Sequence, residues 1–230
     1  ASDVYKRQGL NGMEELVEGL KKAMFEDPVE DTRCVLHCEM KNEGFKTASK
    51  VQYVARVGNF IDNGADYTGA LQILKVILSY DYLWQNIRVK GGAYGCMSGF
   101  SRTGEGYFVS YRDPNLERTM EVYEGIADYL RNFTVSDRDM NKYIIGTMSN
   151  IDQPMTPSAK GDRSFNLYMN KVSAETIKKE RLQILEAGQE DIRKLADVVE
   201  AVMKAEQVCV IGSEEKIEEA KDMFKNVTTF

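Results

Sequence analysis

The chain has 230 residues, of which 43% are hydrophobic and 29% are charged, as in a globular protein with a sizeable core. Its formal net charge of −6 excludes an overall basic field that would attract nucleic acid or an anionic membrane. No apolar run approaches the roughly 20 residues of a membrane span. Residues 1–9 lack the apolar core of a signal peptide, and we interpret them as a foreign or disordered tail.

Hydrophobic periodicity and turn residues divide the chain into short strands and longer helices. In chain order, the predicted elements are a helix over 12–25, strands over 32–40 and 48–57, a helix over 65–87, a hairpin of 93–101 and 105–112, helices that start near Asp113, Ser136, Thr156, Ser173 and Glu190, a strand over 207–212, and a last helix after Ser213. The helix over 65–87 is apolar on almost every side, which predicts that it is buried. Gln72 and Lys75 are polar exceptions, and we assign Tyr80, Tyr82 and Trp84 to the core.

This order of elements predicts an α+β fold, a two-layer sandwich of a mostly antiparallel sheet with helices packed on one side. No linker or repeat interrupts residues 10–230, which we interpret as a single domain. The sheet lacks a strand before the first helix. We therefore expect strand 207–212 at an exposed edge and the chain to be a fragment that lacks its first strand.

The cysteines and the single histidine exclude several kinds of site. Cys34, Cys38, Cys96 and Cys209 are scattered among apolar residues, which favours reduced thiols in a cytoplasmic compartment, or in an organelle of a eukaryote. In the predicted strand 32–40, the first two cysteines share a face and His37 points away from them, so packing is favoured over metal binding. One histidine excludes a multi-histidine metal site and His-Asp catalysis.

Polar side chains and glycines converge where the buried helix ends. Arg88 and Tyr94 stand on either side of Gly91 and Gly92. The glycines follow a helix and lead into a strand, the reverse of a phosphate-binding loop, so they either turn the chain or let a peptide backbone approach. Arginine offers a fork of donors for peptide carbonyls or a carboxylate, and tyrosine offers a hydroxyl that can donate to an oxyanion. Either residue type is also common in purely structural roles.

At these residues the chain resembles a known family. The segments IRVKGGAYG and SYRDPNLERTMEVYEGIADYLRNF resemble the C-terminal half of presequence proteases, a branch of the pitrilysin/insulysin-like zinc metallopeptidases. NEGFKTASKVQYVARVGN upstream and IIGTMSNIDQPMTPSAKG downstream extend the resemblance, which covers nearly everything from about Leu10.

The resemblance implies two homologous halves that close around an unstructured peptide, with this chain as the last pitrilysin-like, or processing-peptidase-like, domain. It implies that Tyr94 donates to the carbonyl oxygen or oxyanion and that Arg88 holds substrate backbone. We expect Gly91, Gly92 and Ala93 to contact the substrate. The expected partners are the peptide and the N-terminal catalytic half of the same polypeptide, with no nucleic acid and no membrane.

The chain departs from the family pattern in its lack of a His-x-x-Glu-His motif. The zinc of the full-length enzyme is therefore expected on another segment, this chain is expected to hold no cofactor, and the isolated chain is expected to be inactive. The alternatives are a non-catalytic structural homologue of the same fold and a stand-alone peptide-binding module. Intact Arg88 and Tyr94 favour the catalytic role.

Overall fold

The computed structural model describes residues 12–24 and 42–230. The chain divides into two compact units, Ala1–Glu39 and Met40–Phe230, which are described separately. The described part of the first unit forms helix α1 (Met13–Ala23), which confirms the helix predicted over 12–25. The predicted tail 1–9 and the predicted strand 32–40, with its cysteines and histidine, lie outside the described residues. The single-domain interpretation of 10–230 stays a prediction.

The second unit is an α+β fold, as predicted. Its elements are β1 (Glu43–Thr47), β2 (Gln52–Asn59), α2 (Ala70–Ile77), two π-helical segments (Leu78–Tyr82 and Trp84–Val89), β3 (Gly95–Phe100), β4 (Glu105–Asp113), α3 (Leu116–Glu124), α4 (Ile126–Arg131), α5 (Asp137–Ile151), α6 (Pro157–Met169), α7 (Ala174–Leu185), α8 (Gln189–Met203), β5 (Gln207–Ser213), α9 (Glu214–Glu219), a short 3₁₀ turn (Lys221–Met223) and β6 (Asn226–Thr229). No helix among the described residues is both long and apolar enough to cross a membrane.

The strands form one sheet of six in the order β3-β4-β2-β5-β1-β6. β2 pairs antiparallel with β4 and β5, and β3 pairs antiparallel with β4. β1 is parallel to both β5 and β6. The expected exposed edge at strand 207–212 is therefore wrong, because β5 lies between β2 and β1. The sequence does not predict β1 and β6, because neither strand shows clear alternation of apolar and polar residues.

Helices cover one face of the sheet. On that face Gly44, Val54 and Val210 are buried. A Cβ at Gly58 would lie 2.2 Å from the Val202 carbonyl oxygen, so helix α8 approaches β2 too closely for any other residue. On the opposite face, Tyr53, Met97, Tyr107 and Ile211 are exposed. In β2, Gln52 and Val54 thus lie on the buried face and Tyr53 on the exposed face. One open and one covered face give the predicted two-layer sandwich.

Helix α2 is the buried helix that its composition predicts. Leu71, Ile73, Leu74 and Ile77 are fully buried, and each such side chain stabilises the fold by roughly 2 kcal/mol. The helix begins at Ala70, where Gly69 packs against the Glu180 backbone of α7. The two π-helical segments continue this helix as far as Arg88 and Val89.

The assignment of the aromatic cluster to the core is wrong for two of its three members. Tyr80 is 68% exposed and Trp84 is 37% exposed, whereas Tyr82 is half-buried and donates to the Val122 carbonyl. Residues two positions apart on a helix lie on nearly opposite sides, so a tyrosine or tryptophan at every second position cannot face one core.

Most predicted helix starts are confirmed. Ser136, Thr156 and Ser173 each accept a hydrogen bond from the backbone N–H three residues later, which caps α5, α6 and α7. The cap predicted at Asp113 is displaced, because α3 starts at Leu116 and Asn115 occupies the N-cap position. The helix predicted to start near Glu190 is α8, and Gly188 is its N-cap.

Candidate active site

Arg88 is an exposed residue of the second π-helical segment. Its guanidinium carbon lies 4.1 Å from the centroid of the Trp84 ring, which is cation–π geometry. The segment thus presents a cation already held against an aromatic plane. π-Helical turns inside α-helices occur frequently at functional sites.

A glycine turn ends this helix and carries the chain toward β3. Gly92 has a φ of 80°, and its N–H donates to the Arg88 carbonyl, while the Ala93 N–H donates to the Ile87 carbonyl. These bonds satisfy the last carbonyls of the helix, as in other glycine C-caps. A Cβ on Gly91 would lie 2.4 Å from the Ile87 oxygen, so this tight turn requires glycine there. Gly91 and Ala93 are buried and Gly92 is exposed; substrate contact by this segment stays a prediction.

Tyr94 follows the turn and is 57% exposed. Its ring centroid lies 5.3 Å from that of Tyr111, and two guanidinium carbons approach the same ring, that of Arg88 at 5.8 Å and that of Arg112 at 5.9 Å. The structure therefore brings together the predicted pair, Arg88 and Tyr94, and adds a second arginine.

Arg112 has an unusual backbone. Its φ of 50° lies in the left-handed region, which costs a residue with a Cβ about 1 kcal/mol. In this conformation the Arg112 carbonyl accepts a hydrogen bond from the Tyr94 N–H at 3.3 Å. The backbone of the second arginine thus holds the tyrosine directly before β3.

A buried carboxylate anchors this backbone. Asp113 is fully buried, and its side chain accepts hydrogen bonds from the Ser110 and Thr119 hydroxyls, each at 2.6 Å, and from the Asn115 N–H at 2.9 Å. The Asn115 side-chain amide donates to the Gly91 carbonyl. The predicted helix cap is therefore the centre of a network that joins β4, α3 and the glycine turn.

Cys96, close to Arg88, has a thiol whose ionisation is disfavoured. Burial raises the pKa of the Cys96 thiol to about 11, although the charge of Arg88 acts in the opposite direction. At neutral pH, Cys96 is thus a neutral packed thiol and a poor nucleophile. Cys96 and Cys209 are both free.

The described residues offer no metal centre. Residues 12–24 and 42–230 contain no group of three or more His, Cys, Asp or Glu side chains that could hold a metal ion. A cleft of about 710 Å³ lies elsewhere, at the start of α9, and is lined mainly by Thr47, Ser49, Ser213 and four glutamates. Its lining shares no residue with the Arg88–Tyr94 region.

The sequence alone points to Arg88, Tyr94 and the glycine turn of 91–93, and it does not reveal Trp84, Tyr111, Arg112 or Asp113 as residues of this site. The aromatic character of Trp84 predicts a core position, and the Asp113–Pro114 pair predicts a helix start. Arg112 carries a detectable signal, because it stands two residues before Pro114, and a proline has no N–H with which to continue a strand ladder.

Comparison with known proteins supports the expected family. The family model described as the PreP C-terminal domain matches residues 42–215. Protein HypA of Clostridium perfringens is 48% identical over 187 residues, which are 81% of this chain and 19% of that protein. Presequence protease 1, chloroplastic/mitochondrial, of Arabidopsis thaliana is 32% identical over 188 residues, 81% of this chain and 17% of that protein. The chain thus spans less than a fifth of the length of these relatives.

A solved structure supports the fold. The crystal structure of pitrilysin matches with a TM-score of 0.55 at 14% identity, over 83% of this chain and 22% of that chain. At this identity the similarity establishes the architecture of the sheet and helices, which is pitrilysin-like.

Proposed function

This chain belongs to the PreP C-terminal domain family, and from that premise we propose that it is the substrate-completing domain of a zinc metalloendopeptidase that degrades unstructured peptides. In this proposal, Arg88 and Tyr94 complete an active site whose zinc-binding half lies in an N-terminal part of the same polypeptide. Among its relatives are proteins named presequence proteases, and this name describes the cleavage of peptides.

The observation that carries the proposal is the exposed hydroxyl-bearing ring of Tyr94 beside the guanidinium of Arg88. A tyrosine hydroxyl can donate a hydrogen bond to the carbonyl oxygen of a scissile peptide, and this bond strengthens as the oxygen becomes negatively charged. The Arg88 guanidinium can donate to a neighbouring peptide carbonyl and hold the backbone in place.

Both side chains have an aromatic contact that favours their present orientation. Trp84 holds the Arg88 guanidinium, and Tyr111 packs against the Tyr94 ring. Donors that are fixed before the substrate binds lose less entropy during the reaction than mobile ones.

The described residues do not fit a zinc site. The sequence contains one histidine and no His-x-x-Glu-His motif, and residues 12–24 and 42–230 include no group of three or more His, Cys, Asp or Glu side chains that could hold a metal ion. The proposal therefore assigns no metal-dependent step to this chain. It also predicts that the isolated chain does not cleave peptides.

Substitution in the full-length protein tests the proposal. Tyr94→Phe removes the donor and keeps the ring, so we expect kcat for an unstructured peptide to fall by about 100-fold. Arg88→Gln is expected to lower kcat/KM by about 10-fold, mainly through KM. Tyr168→Phe, an exposed tyrosine on α6, and Arg138→Gln, an exposed arginine on α5, are the matched controls.

Unchanged turnover in Tyr94→Phe and Arg88→Gln, with circular dichroism and melting temperature preserved, would contradict the catalytic role. That result would instead support a non-catalytic homologue of the same fold. Chelator-sensitive cleavage by the purified isolated chain would contradict the assignment of the zinc site to another segment.

A further inference from the structure

We propose that Arg112, together with Arg88, forms a carboxylate-binding site beside Tyr94 that recognises a negatively charged group of the peptide. The inference rests on the proposed function, because the ligand is a carboxylate of the same peptide. It adds a specificity-determining residue, Arg112, and the chemical class of ligand that this residue takes.

Both guanidiniums lack an anionic partner among the described residues. Within residues 12–24 and 42–230, neither Arg88 nor Arg112 forms an ion pair or a side-chain hydrogen bond, and their recorded side-chain partners are aromatic rings. Arg102, Arg131 and Arg181, in contrast, each pair with a carboxylate. Two arginines thus lie at one tyrosine with no carboxylate partner in the described part of the chain.

The acid next in sequence does not fill this role. Asp113 is fully buried, and its carboxylate accepts hydrogen bonds from two hydroxyls and one N–H. Its side chain lies inside the protein, whereas the Arg112 side chain is exposed. Asp113 therefore fixes the backbone of Arg112 but does not pair with the Arg112 guanidinium, which can still bind an anionic ligand.

Positive charges outnumber negative ones on the surface around the glycine turn. Lys90 and Arg118 are also exposed, and the Arg118 guanidinium donates to the Lys90 carbonyl at 3.3 Å, so both lie beside the same glycine turn. This concentration of cations stands out in a chain whose net charge is −6. A field of this sign attracts anionic groups and repels basic ones.

The backbone of Arg112 is left-handed, with a φ of 50°. A left-handed conformation at a residue other than glycine persists only where the surrounding structure enforces it, and such residues cluster at functional sites. Here the conformation places the Arg112 guanidinium within 5.9 Å of the Tyr94 ring centroid. The planar guanidinium suits a carboxylate because two parallel N–H groups match its two oxygens.

Binding measurements on the full-length protein test the proposal. The probes are fluorescently labelled, unstructured peptides in which one glutamate is moved along an otherwise uncharged sequence, each compared with its glutamine counterpart. A second pair differs in a free or amidated C-terminus. A chelator keeps the peptides intact while fluorescence anisotropy gives Kd.

We expect a carboxylate at the favoured position, or at the C-terminus, to lower Kd by about 5- to 10-fold relative to its amide counterpart. Arg112→Gln should reduce this ratio to about 2-fold or less without changing the melting temperature. Arg112→Lys, which keeps the charge and loses the fork, should give an intermediate ratio. Arg138→Gln should leave the ratio unchanged.

The two peptide series separate the sources of the carboxylate: a glutamate effect indicates a side chain, and a C-terminal effect indicates the terminus. Equal Kd values for every acid and amide pair with the unsubstituted protein would overturn the proposal, as would an undiminished ratio in Arg112→Gln. Failure of the proposed function is a separate result, because it is seen as unchanged turnover in Tyr94→Phe.

Discussion

The guanidinium carbon of Arg88 lies 4.1 Å from the centroid of the Trp84 ring, one helical turn earlier in the chain. The contact decides where the arginine points, since no carboxylate among the described residues holds it. A cation over an indole face gains roughly 0.5–1 kcal/mol at an exposed position. Trp84 thereby acts as a positioning residue for Arg88.

Trp84→Ala in the full-length protein should lower kcat/KM for an unstructured peptide by about 5-fold, mainly through KM, because Arg88 loses the ring that orders it. Trp84→Phe should recover part of this loss, since phenylalanine provides a weaker aromatic face. Tyr80→Ala is the matched control, an exposed aromatic residue of the same helix with no aromatic or cation–π contact among the described residues. An equal loss in Trp84→Ala and Tyr80→Ala would count against the positioning role.

Asp113 is expected to be the most sensitive carboxylate near the site. Asp113→Ala would leave the Ser110 and Thr119 hydroxyls and the Asn115 N–H without their buried acceptor, at a cost of about 3 kcal/mol in the free energy of unfolding. Urea unfolding of the chain measures this loss. The control is Asp162→Ala, an exposed residue on α6, which should change stability by less than about 0.5 kcal/mol. Similar unfolding midpoints for the two variants would refute the role of Asp113 as an anchor.

The Cys96 thiol predicts a specific alkaline dependence of stability. Burial raises its pKa in the folded state from 9.0 to about 11. Its contribution is therefore fully present below about pH 9 and is lost as the pH rises toward 11, because the unfolded chain ionises first. Burial also raises the pKa of Tyr129, to about 12, so a single titration curve does not isolate the thiol.

Comparison of the unsubstituted chain with Cys96→Ala isolates the contribution of the thiol to the pH dependence of stability. We expect the free energy of unfolding to decline less steeply between pH 9 and pH 11 in this variant than in the unsubstituted chain. Parallel declines would show that Cys96 ionises as easily in the folded as in the unfolded state. Peptide-level alkylation near pH 8 provides an independent measurement, in which Cys96 should react more slowly in the native chain than in urea.

Local sequence was sufficient for much of the architecture. The apolar run of Leu71, Ile73, Leu74 and Ile77 predicts a buried helix because no polar side remains to face water. The serine and threonine caps of α5, α6 and α7 mark helix starts because a side-chain oxygen satisfies a free N–H within one turn. These signals involve residues that are close together in the chain.

The position of β5 could not be predicted in this way. Its buried, apolar character was evident, but its neighbours, β1 and β2, lie some hundred and fifty residues earlier. Strand pairing over such a distance depends on the whole core and not on local propensity. For the same reason, the polar strand β1 gave no signal of its own.

The site shows the same division. Arg88, the glycines and Tyr94 are neighbours in the chain, so their residue types and spacing pointed to a functional segment and to a family. Arg112 and Asp113 reach that segment only when β3 and β4 pair and place the Tyr94 N–H against the Arg112 carbonyl. Sequence periodicity specified the helices and the hairpin because it reflects local burial. The grouping of two guanidiniums around Tyr94 was decided by tertiary structure, because it arises from hydrogen bonds and packing between distant segments.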